Sequence, residues 1–473
     1  MTLVSTWLNG TTDRARPRLV LIATSLGVLF AQIDTSIVNL AVKSIATDLH
    51  AGVSEMQWVI DSYNLVYASL LLTGGTLGDL YGRRRIFVLG IVLFIIGTLT
   101  CALAPNATTL IAGRIVSGLG AAFEVPMSLV LLTLAYPERK ERTHALGIWA
   151  SCNALAFIIG PMLGGWLVAT VGWRSIFYVI LPICLAAIAL TYAAVRESSE
   201  PKGRRLDLAG QVLAIVGLGA FAFAVIEGSN WGWTSPIILT IAAIAIAALV
   251  LFVWVEARTP GPLLPLEFLR RPVFSAALAV AGLMTFGMYA LLFVMPLYFQ
   301  TIRGASPLVT GLELLPMPVC FFIVSQYAGH LNNRFGPRVV MTAGMACMGI
   351  GALALALINE STNLIPIELA LAIVGVGLGL NTAPVNGVAV AALPPERSGT
   401  ASGVLNTSRM VGATLGVAIL GTIFAGHAGQ NAAAGSDFVS GLRAALMGSA
   451  AAELIGAVVA FAFIRSNSLH AKK

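Results

Sequence analysis

The sequence is poor in charge: only 10 % of its 473 residues are Asp, Glu, Lys or Arg, whereas 58 % are hydrophobic. In soluble domains about a quarter of the residues are charged. No polar stretch is long enough for a separate soluble domain, and apolar runs of roughly 18 residues or more recur from end to end, which is typical of membrane-spanning helices. The composition therefore predicts an all-α, polytopic membrane protein.

Motifs of catalysis and metal binding are also lacking. The five cysteines have no paired spacing and the five histidines are scattered, which argues against a disulfide framework and a zinc site. The sequence contains no Gly-x-x-x-x-Gly-Lys-Ser/Thr loop, no Gly-x-Ser-x-Gly elbow and no His-Glu-x-x-His pair. An ATP-driven pump and a membrane-embedded enzyme would need one of these motifs. We therefore expect neither an enzyme nor a bound metal.

What the chain does have is about fourteen hydrophobic segments, which place both termini on one side. The predicted helices are 18–45, 54–80, 86–104, 107–134, 141–170, 174–195, 207–227, 235–256, 273–301, 307–332, 338–358, 363–390, 397–425 and 438–464. Of the 28 Lys and Arg residues, 22 fall on the side of the termini. Because loops rich in Lys and Arg stay in the cytoplasm, that side is predicted to be cytoplasmic. The net charge of +7 then reflects topology and not nucleic-acid binding.

Two internal echoes predict that the chain consists of related halves. "GTLGDLYGRRR" at 75–85 corresponds to "GHLNNRFGPR" at 329–338, with Asn333 in the place of Asp79. Pro126 and the "PER" segment after it correspond in the same way to Pro384 and a second "PER". Chance similarity in membrane sequence is the alternative. The predicted organisation is a cytoplasmic segment 1–17, a six-helix bundle 18–195, a basic loop with an inserted two-helix hairpin 196–260, a second six-helix bundle 272–465 and a tail 466–473.

The first echo carries Gly75, Asp79, Gly82, Arg83 and Arg84 in the pattern Gly-x-Leu-x-Asp-x-x-Gly-Arg-Arg. This pattern resembles the signature between the second and third helices of the major facilitator superfamily. A glycine allows the sharp turn, and the arginines anchor the loop in the cytoplasm. Asp79 is predicted to be a conformational latch that pairs with an arginine or with a helix N-terminus of the other half. Plain topogenic charge would explain the arginines but not the spacing around Asp79.

Longer segments resemble the fourteen-helix drug:proton antiporters of that superfamily, except that Lys43 stands where the family usually has proline. They are "QIDTSIVNLAV" at 32–42, "QWVIDSYNLVYASLLLTGG" at 57–75, "RIVSGLG" at 114–120, "GPMLGG" at 160–165 and "PPERSGTASGVLNTSRMVGATLG" at 394–416. The resemblance covers nearly the whole chain. It implies the major facilitator fold, with two six-helix bundles plus two extra helices. Relatives of this kind confer resistance to quaternary ammonium dyes or to antibiotics such as methylenomycin.

Ionisable side chains inside the predicted helices are candidates for proton coupling, since each costs several kcal/mol unless it is paired or in water. At about 1.5 Å per residue, Asp34 lies roughly 8 Å below the outer edge of a core about 30 Å thick. Asp61 and Arg114 come to about 10 Å below that edge, and Glu313 reaches a similar depth from the other half. A carboxylate in a low-dielectric cleft can hold a proton or a cationic substrate, but not both.

Each of these assignments has an alternative in which the residue takes no part in proton coupling. Asp34 and Arg114 could form a static ion pair that only orders the bundle. Asp61 could be an acid in contact with outer water, and Glu313 lies only two turns into its helix. Arg409 is a candidate to balance an acid of the other half, and Glu453 in the last helix is expected to be structural.

Polar and aromatic side chains within the helices are candidates to line a substrate cavity. The predicted substrate-binding set is Asp34, Asp61, Tyr63, Asn64, Glu124, Phe286, Tyr289, Glu313, Asn381 and Asn406. Core packing is the alternative for each aromatic residue. Glu124 stands where the resembled family usually has an uncharged residue, so it is either a second proton site or a feature of the particular substrate.

Gly160, Pro161, Gly164 and Gly165 resemble the fifth-helix pattern of exporters. Small residues let helices approach closely and proline bends a helix, so this segment is predicted to keep the cavity closed on one side. Ordinary helix packing is the alternative, because the chain has 48 glycines.

The resulting prediction is a proton-coupled exporter of small amphipathic or cationic compounds that works by alternating access in the inner membrane. Both termini would be cytoplasmic, protons the coupling ion, and no cofactor bound. Its partners would be a small-molecule substrate and the lipid bilayer, and it would work as a monomer. A proton-coupled importer or uniporter of a small metabolite on the same fold is the alternative that the sequence leaves open.

Overall fold

The structure, a computed structural model, describes residues 15–201, 206–259, 262–394, 397–429 and 435–464, which form seventeen α-helices. Most of the predicted N-terminal segment, residues 202–205 of the basic loop, Pro395 and Glu396 of the second "PER", and the tail 466–473 lie outside the described residues. The helices are α1 (Ala15–Leu49), α2 (Val53–Tyr81), α3 (Arg83–Ala102), α4 (Ala107–Ala135), α5 (Arg139–Thr170), α6 (Ser175–Tyr178), α7 (Ile180–Ala194), α8 (Leu208–Trp231), α9 (Pro236–Glu256), α10 (Leu266–Leu269), α11 (Pro272–Thr301), α12 (Pro307–Glu313), α13 (Pro316–Phe335), α14 (Pro337–Ala356), α15 (Leu364–Ala391), α16 (Ser398–Ala428) and α17 (Ser436–Phe463).

Among these residues, 13 helical segments are long and apolar enough to cross a membrane, with α6 and α7 forming one span and α12 and α13 another. The one predicted span that is not among these 13 segments is α2. It is less apolar because it contains Glu55, Gln57, Asp61 and Asn64. Its 29 residues make a helix of about 43 Å, and it packs along α4 and α16 across the same layer. The prediction of about fourteen membrane helices is confirmed.

The main departures from the predicted helices are breaks within two spans and one short added helix. The predicted helix 307–332 is interrupted between Glu313 and Pro316, because proline has no backbone N–H to continue the helical ladder but fits at the start of a new helix. The predicted helix 174–195 is divided at Val179, and α10 was not predicted.

The two halves share their turn geometry at the positions of the sequence echo. Gly82 has φ +113° and Gly336 has φ +81°, values that favour glycine. Pro126 lies inside α4, and Pro384 lies inside the corresponding helix α15. The loops that carry Gly82 and Gly336 are at one end of the bundles, called here the basic end. The α1–α2 and α11–α12 connections are at the opposite end, called the distal end.

The inserted hairpin lies beside the seam between the halves. On α8, Gln211 Nε2 donates a hydrogen bond of 2.9 Å to the carbonyl oxygen of Ser69 on α2. Thr422 Oγ1 of α16 donates to the carbonyl oxygen of Val225 on α8 at 3.2 Å. The outer helix α9 packs mainly on α8, and its Val250 is 66 % exposed, as expected of a side chain that faces lipid. The chain is thus a multi-pass membrane protein.

Candidate functional site

A buried ion pair joins α1 and α4 in the N-terminal half. Arg114 Nη1 donates a hydrogen bond of 2.5 Å to Asp34 Oδ2, and Arg114 Nε donates one of 2.9 Å to the carbonyl oxygen of Val59 on α2. The guanidinium carbon lies 4.3 Å from the ring centroid of Tyr63. Asp34 is 0 % exposed, and its Oδ1 has no hydrogen-bond partner among the described residues. The site therefore keeps one free acceptor oxygen between three helices.

Asp61 lies on a different face of α2, the one turned toward α16 of the other half. One turn before it, Gln57 Nε2 donates to the carbonyl oxygen of Val417 at 3.0 Å. Toward the basic end, a Cβ built on Gly403 of α16 would lie 2.8 Å from a methyl carbon of Leu72. Positions 57, 61 and 72 share one face of the helix. The two contacts therefore bracket Asp61 at the seam between the halves.

The carboxylate of Asp61 is buried and unpartnered in the part of the chain that the structure describes. Its side chain is 0 % exposed, and neither of its carboxylate oxygens has a hydrogen-bond partner among the described residues. The amide of Asn64 and the hydroxyl of Thr414, on the facing side of α16, are equally buried and unpartnered in that part of the chain. Asp61 has no contact with outer water in this conformation. An ionised carboxylate in such a place needs a proton or a cation.

The two halves are held together at the distal end. Lys43 Nζ of α1 donates to the carbonyl oxygen of Gln300 on α11 at 2.6 Å. Gln300 Nε2 in turn donates to the carbonyl oxygen of Leu40 at 2.9 Å. These bonds and those of Gln57 to α16 join the two bundles toward the distal end. This conformation is closed at the distal end.

The segment that resembles the exporter pattern lies on α5. It packs against α1 of its own half and against the start of α12 in the other half. Gly160 and Gly164 of α5 face α1, because a Cβ on either residue would overlap the side chain of Ser36 or Ile37. Gly165 faces the other half, since its Cβ would lie 2.6 Å from the carbonyl oxygen of Pro307. The glycines thus permit helix contacts that any side chain would obstruct.

A small enclosed cavity beside Pro161 marks the closed seam. Its volume is about 20 Å³, and its lining comes from both halves: Ser36, Asn39, Leu40, Phe157, Pro161, Leu292, Pro296, Leu314, Met317 and Pro318. That space suits roughly one water molecule. Beyond it, an open depression of about 750 Å³ at the distal surface is lined by Lys43, Ser44, Thr47, Asp48, His50, Gln300, Gly304, Ala305 and Pro307.

The predicted latch loop is bound to the segment that follows α7. Arg83 Nε donates to Asp79 Oδ1 at 3.0 Å, and the backbone N–H of Glu200 donates to the carbonyl oxygen of Asp79 at 2.8 Å. Arg83 also lies 3.1 Å from the carboxylate of Glu200. A Cβ on Gly75 would meet nothing within 4 Å. In this conformation, Asp79 pairs with an arginine of its own half, one of the partners that the sequence predicted.

Sequence reasoning missed the acid that completes this loop, Glu197. Its two carboxylate oxygens accept hydrogen bonds from the backbone N–H groups of Arg84 and Arg85, at 3.0 and 3.1 Å. These groups belong to the first turn of α3, where a negative charge is favourable. The only signal in the sequence was an acidic "RESSE" segment at the end of the half that carries three consecutive arginines.

We expect Glu197→Gln to destabilise the loop by about 1 kcal/mol, because it removes a negative charge from a helix N-terminus and from two arginines. Thermal unfolding of the purified protein in detergent measures the effect. Glu200→Gln is the matched control: the Glu200 side chain is 70 % exposed, and an exposed ion pair contributes little. An equal loss in both variants would contradict the capping role of Glu197.

Several candidate residues lie away from the Asp34 and Asp61 sites. Glu313 ends α12 within electrostatic range of Arg303 and Glu368 of its own half. Asn381 donates to the carbonyl oxygen of Gly377 at 3.1 Å and faces Gly344 of α14. No contact between the described residues supports a place for either of them at the seam, and their predicted roles stay predictions.

The remaining candidates of the C-terminal half lie closer to the seam. Tyr289 of α11 is within electrostatic range of Tyr67 on α2, and Phe286, one turn earlier, packs its backbone on α16. Asn406 is half-buried and accepts a hydrogen bond of 3.5 Å from Arg409. Glu453 is 1 % exposed and packs against Gly287, between α11 and α17. In the part of the chain that the structure describes, no group of three His, Cys, Asp or Glu side chains could hold a metal ion.

A family model described as Major Facilitator Superfamily matches residues 24–226 and 201–417. The chain is 40 % identical over 407 residues to the multidrug resistance protein Stp of Mycobacterium tuberculosis, covering 86 % of this chain and 76 % of that protein. It is 35 % identical over 430 residues to the methylenomycin A resistance protein of Streptomyces coelicolor, covering 91 % and 90 %.

Among solved structures, the fold matches the crystal structure of a bacterial homologue of the human lysosomal transporter Spinster, in an inward-facing and unoccupied conformation. The TM-score is 0.68 at 18 % identity, and the match covers 94 % of this chain and 96 % of that chain. The chain therefore belongs to the major facilitator superfamily, in its drug efflux family, and has the major facilitator fold. It is a transporter and not an enzyme.

Proposed function

We propose that this protein is a proton-coupled exporter, a drug:proton antiporter of small amphipathic or cationic compounds that works by alternating access. The observation that carries the proposal is Asp61, a buried carboxylate without a hydrogen-bond partner among the described residues, at the seam between the halves. A proton and a cationic compound compete for such a group, because each neutralises it. Competition for one site is sufficient to couple the two fluxes.

The Asp34–Arg114 pair links protonation to movement. When Asp34 binds a proton, its attraction to the guanidinium weakens, and Arg114 retains the carbonyl oxygen of Val59 and the ring of Tyr63 as partners. Asp34 lies on α1, the helix whose distal end carries Leu40 and Lys43 of the closure between the halves. Protonation of Asp34 therefore acts on a helix that closes the distal end.

Alternating access requires that the distal contacts open as the basic end closes. The distal closure includes a few hydrogen bonds from Lys43, Gln57 and Gln300 to backbone carbonyl oxygens. Each such bond contributes roughly 0.5–3 kcal/mol, a total within reach of a differential binding energy. Asp79, which pairs with Arg83 of its own half in this conformation, serves as the latch that biases the basic end.

Two observations support a substrate class, the names of the relatives and the residues at the seam. The names of the matched proteins, multidrug resistance and methylenomycin A resistance, support an antibiotic or biocide as the exported compound. The acid Asp61 suits a cation, and Phe286 and Tyr289 offer apolar surface. We place the protein in the inner or plasma membrane as a monomer, with both termini and the basic end in the cytoplasm, and with protons as coupling ion and no cofactor.

An imposed pH gradient in proteoliposomes tests this proposal. An acidic interior should drive uptake of ethidium, a cationic dye, because outward proton flow powers inward movement of the substrate in an antiporter. A protonophore should abolish that uptake. Uptake driven only by an alkaline interior would indicate a symporter, and uptake independent of the gradient would indicate a uniporter; either result would overturn the proposal.

A further inference from the structure

Glu124 of α4 is a buried acid that plays no part in the exchange proposed for Asp61. It is 0 % exposed, and neither carboxylate oxygen has a hydrogen-bond partner among the described residues. Its side chain points at α1, since a Cβ on Gly27 would lie 2.6 Å from Glu124 Oε2 and 3.2 Å from the ring of Phe87 on α3. The carboxylate is therefore enclosed in the N-terminal half, away from the seam that a substrate would line.

The depth of Glu124 differs from that of the Asp34–Arg114 pair. Ten residues separate Arg114 from Glu124 on α4, which corresponds to about 15 Å toward the basic end. On α3, Gly90 lies beside Glu124, because its Cβ would be 2.9 Å from Glu124 Cβ. Gly90 is seven residues, or roughly 10 Å, from the start of α3 at the basic end. The two acids thus occupy opposite thirds of the membrane layer.

Two buried tyrosines of α2 span the distance between the acids. Tyr63 lies against Arg114 and within electrostatic range of Asp34. The ring centroids of Tyr63 and Tyr67 are 6.1 Å apart, and Tyr67 packs in the same buried cluster as Phe87, the ring that lies with Glu124 beside Gly27. The exposed fractions of Tyr63 and Tyr67 are 1 % and 6 %. The N-terminal half therefore contains a row of ionisable groups, which are Asp34, Tyr63, Tyr67 and Glu124.

Among the described residues, Tyr67 from α2 and Cys184 from α7 are titratable groups within electrostatic range of Glu124, and both side chains are neutral in their ordinary protonation states. The neighbouring positions of α1 and α3 are Gly27, Phe87 and Gly90, which do not titrate. With no counter-ion among the described residues, Glu124 is stable only when it is protonated, or for the short time in which it passes a proton on.

We propose that Glu124 is an inner proton-binding site of the N-terminal half, and that Tyr63 and Tyr67 connect it with Asp34. This inference rests on the proposed antiport function and gives it a second proton site. A phenol can accept one proton on its oxygen while its own O–H donates another. A proton that leaves Asp34 thus arrives at Glu124 without a net charge on either tyrosine, and a bridging water can cross a gap longer than a hydrogen bond.

Glu124→Gln tests the proposal, because glutamine has the size of the protonated acid but cannot release a proton. In proteoliposomes, we expect gradient-driven ethidium transport to fall about tenfold or more, as for a lost proton-transfer group. Exchange of ethidium for ethidium at equal pH needs no proton transfer. Its rate should differ from the wild-type rate by less than about twofold. Tyr67→Phe should also slow gradient-driven transport and shift its pH profile. Tyr298→Phe, which removes a hydroxyl that donates to the carbonyl oxygen of Asn359 within the other half, should not.

Two outcomes would overturn the relay. Gradient-driven transport of Glu124→Gln at the wild-type rate would show that no proton passes through this site. An equal loss of gradient-driven transport and of exchange would show a structural role. If wild-type transport ignores the gradient, the antiport proposal fails by itself. Infrared titration of the protonated carboxyl band of the purified full-length protein, with Glu124→Gln and Tyr67→Phe as references, then decides separately whether Glu124 exchanges its proton and whether Tyr67 affects that exchange.

Discussion

Asp34→Asn should reduce gradient-driven transport in proteoliposomes by about 100-fold or more, a loss typical of a removed proton-transfer group. Asparagine keeps the shape of the side chain and an acceptor oxygen for Arg114, but it has no titratable proton. It also leaves the Arg114 guanidinium, 2 % exposed, without its counter-charge. Breaking a buried pair costs about 3–5 kcal/mol, so thermal unfolding should show a lower melting temperature as well.

A matched control separates this effect from the loss of any other carboxylate on α1. Asp48→Asn makes the same change at the distal end of that helix, where Asp48 is 47 % exposed and pairs with Arg174 at 2.7 Å. An exposed pair is worth little, so we expect transport close to that of the wild type. Asp34→Asn with normal gradient-driven transport would rule out Asp34 as a proton carrier.

The double variant Asp34→Asn/Arg114→Gln distinguishes proton coupling from a static ion pair. Both charges are then absent, so the uncompensated buried charge disappears and stability should largely return. If the pair only orders the bundle, transport should return together with stability. If Asp34 carries a proton, transport stays low in the stable double variant. Melting temperature and initial transport rate, measured on the same preparation, decide between the two.

Gly311→Ala should prevent closure of the distal end and lower transport about tenfold or more, a loss of roughly 1.4 kcal/mol or more in the closed state. A Cβ on Gly311 would overlap the carbonyl oxygen of Pro161 and lie 3.0 Å from its carbonyl carbon. Both atoms are backbone, so neither can rotate away. The effect opposes helix propensity, which favours alanine over glycine by about 1 kcal/mol.

Labelling measures this closure directly. Asn39 lines the enclosed cavity and is 2 % exposed, so a cysteine there should react slowly with a membrane-impermeant maleimide added from outside. Gly311→Ala should make that cysteine reactive. Gly329→Ala is the control, because a Cβ at that helical position meets nothing within 4 Å. Slow labelling in both variants would show that the contact between α5 and α12 does not hold the distal end closed.

Much of the fold was predictable because its signals are local. Apolar runs identify the membrane helices, and basic loops predict which ends of the helices are cytoplasmic. Both signals can be read without knowing which helices pack together. Even α2, the most polar of the spans, was predicted as the helix 54–80, and its segment 57–75 resembles the corresponding helix of the family. The interruption after Glu313 was missed, because proline can either begin a helix or bend one, and the neighbouring helices decide between the two.

The candidate site was predictable in part, and the reason is geometric. Helical rise places Asp34 and Arg114 at similar depths, which is a necessary condition for the ion pair that the structure shows. It does not report which face of a helix a residue occupies relative to its neighbours. Glu313 and Asn381 were therefore predicted as candidates together with Asp61, although the contacts of both lie within the C-terminal half. Glu197 was missed because its partners are backbone N–H groups distant in sequence.

The sequence by itself determined that this is a many-helix membrane protein with related halves and with buried acids in its first two helices. Hydropathy and charge act through the solvent on each segment separately, so they can be read along the chain. Only the tertiary structure decided which end is closed, that Asp61 has no partner among the described residues, and that Glu124 lies inside the bundle. Those properties depend on which side chains of distant segments meet, and no local pattern contains that information.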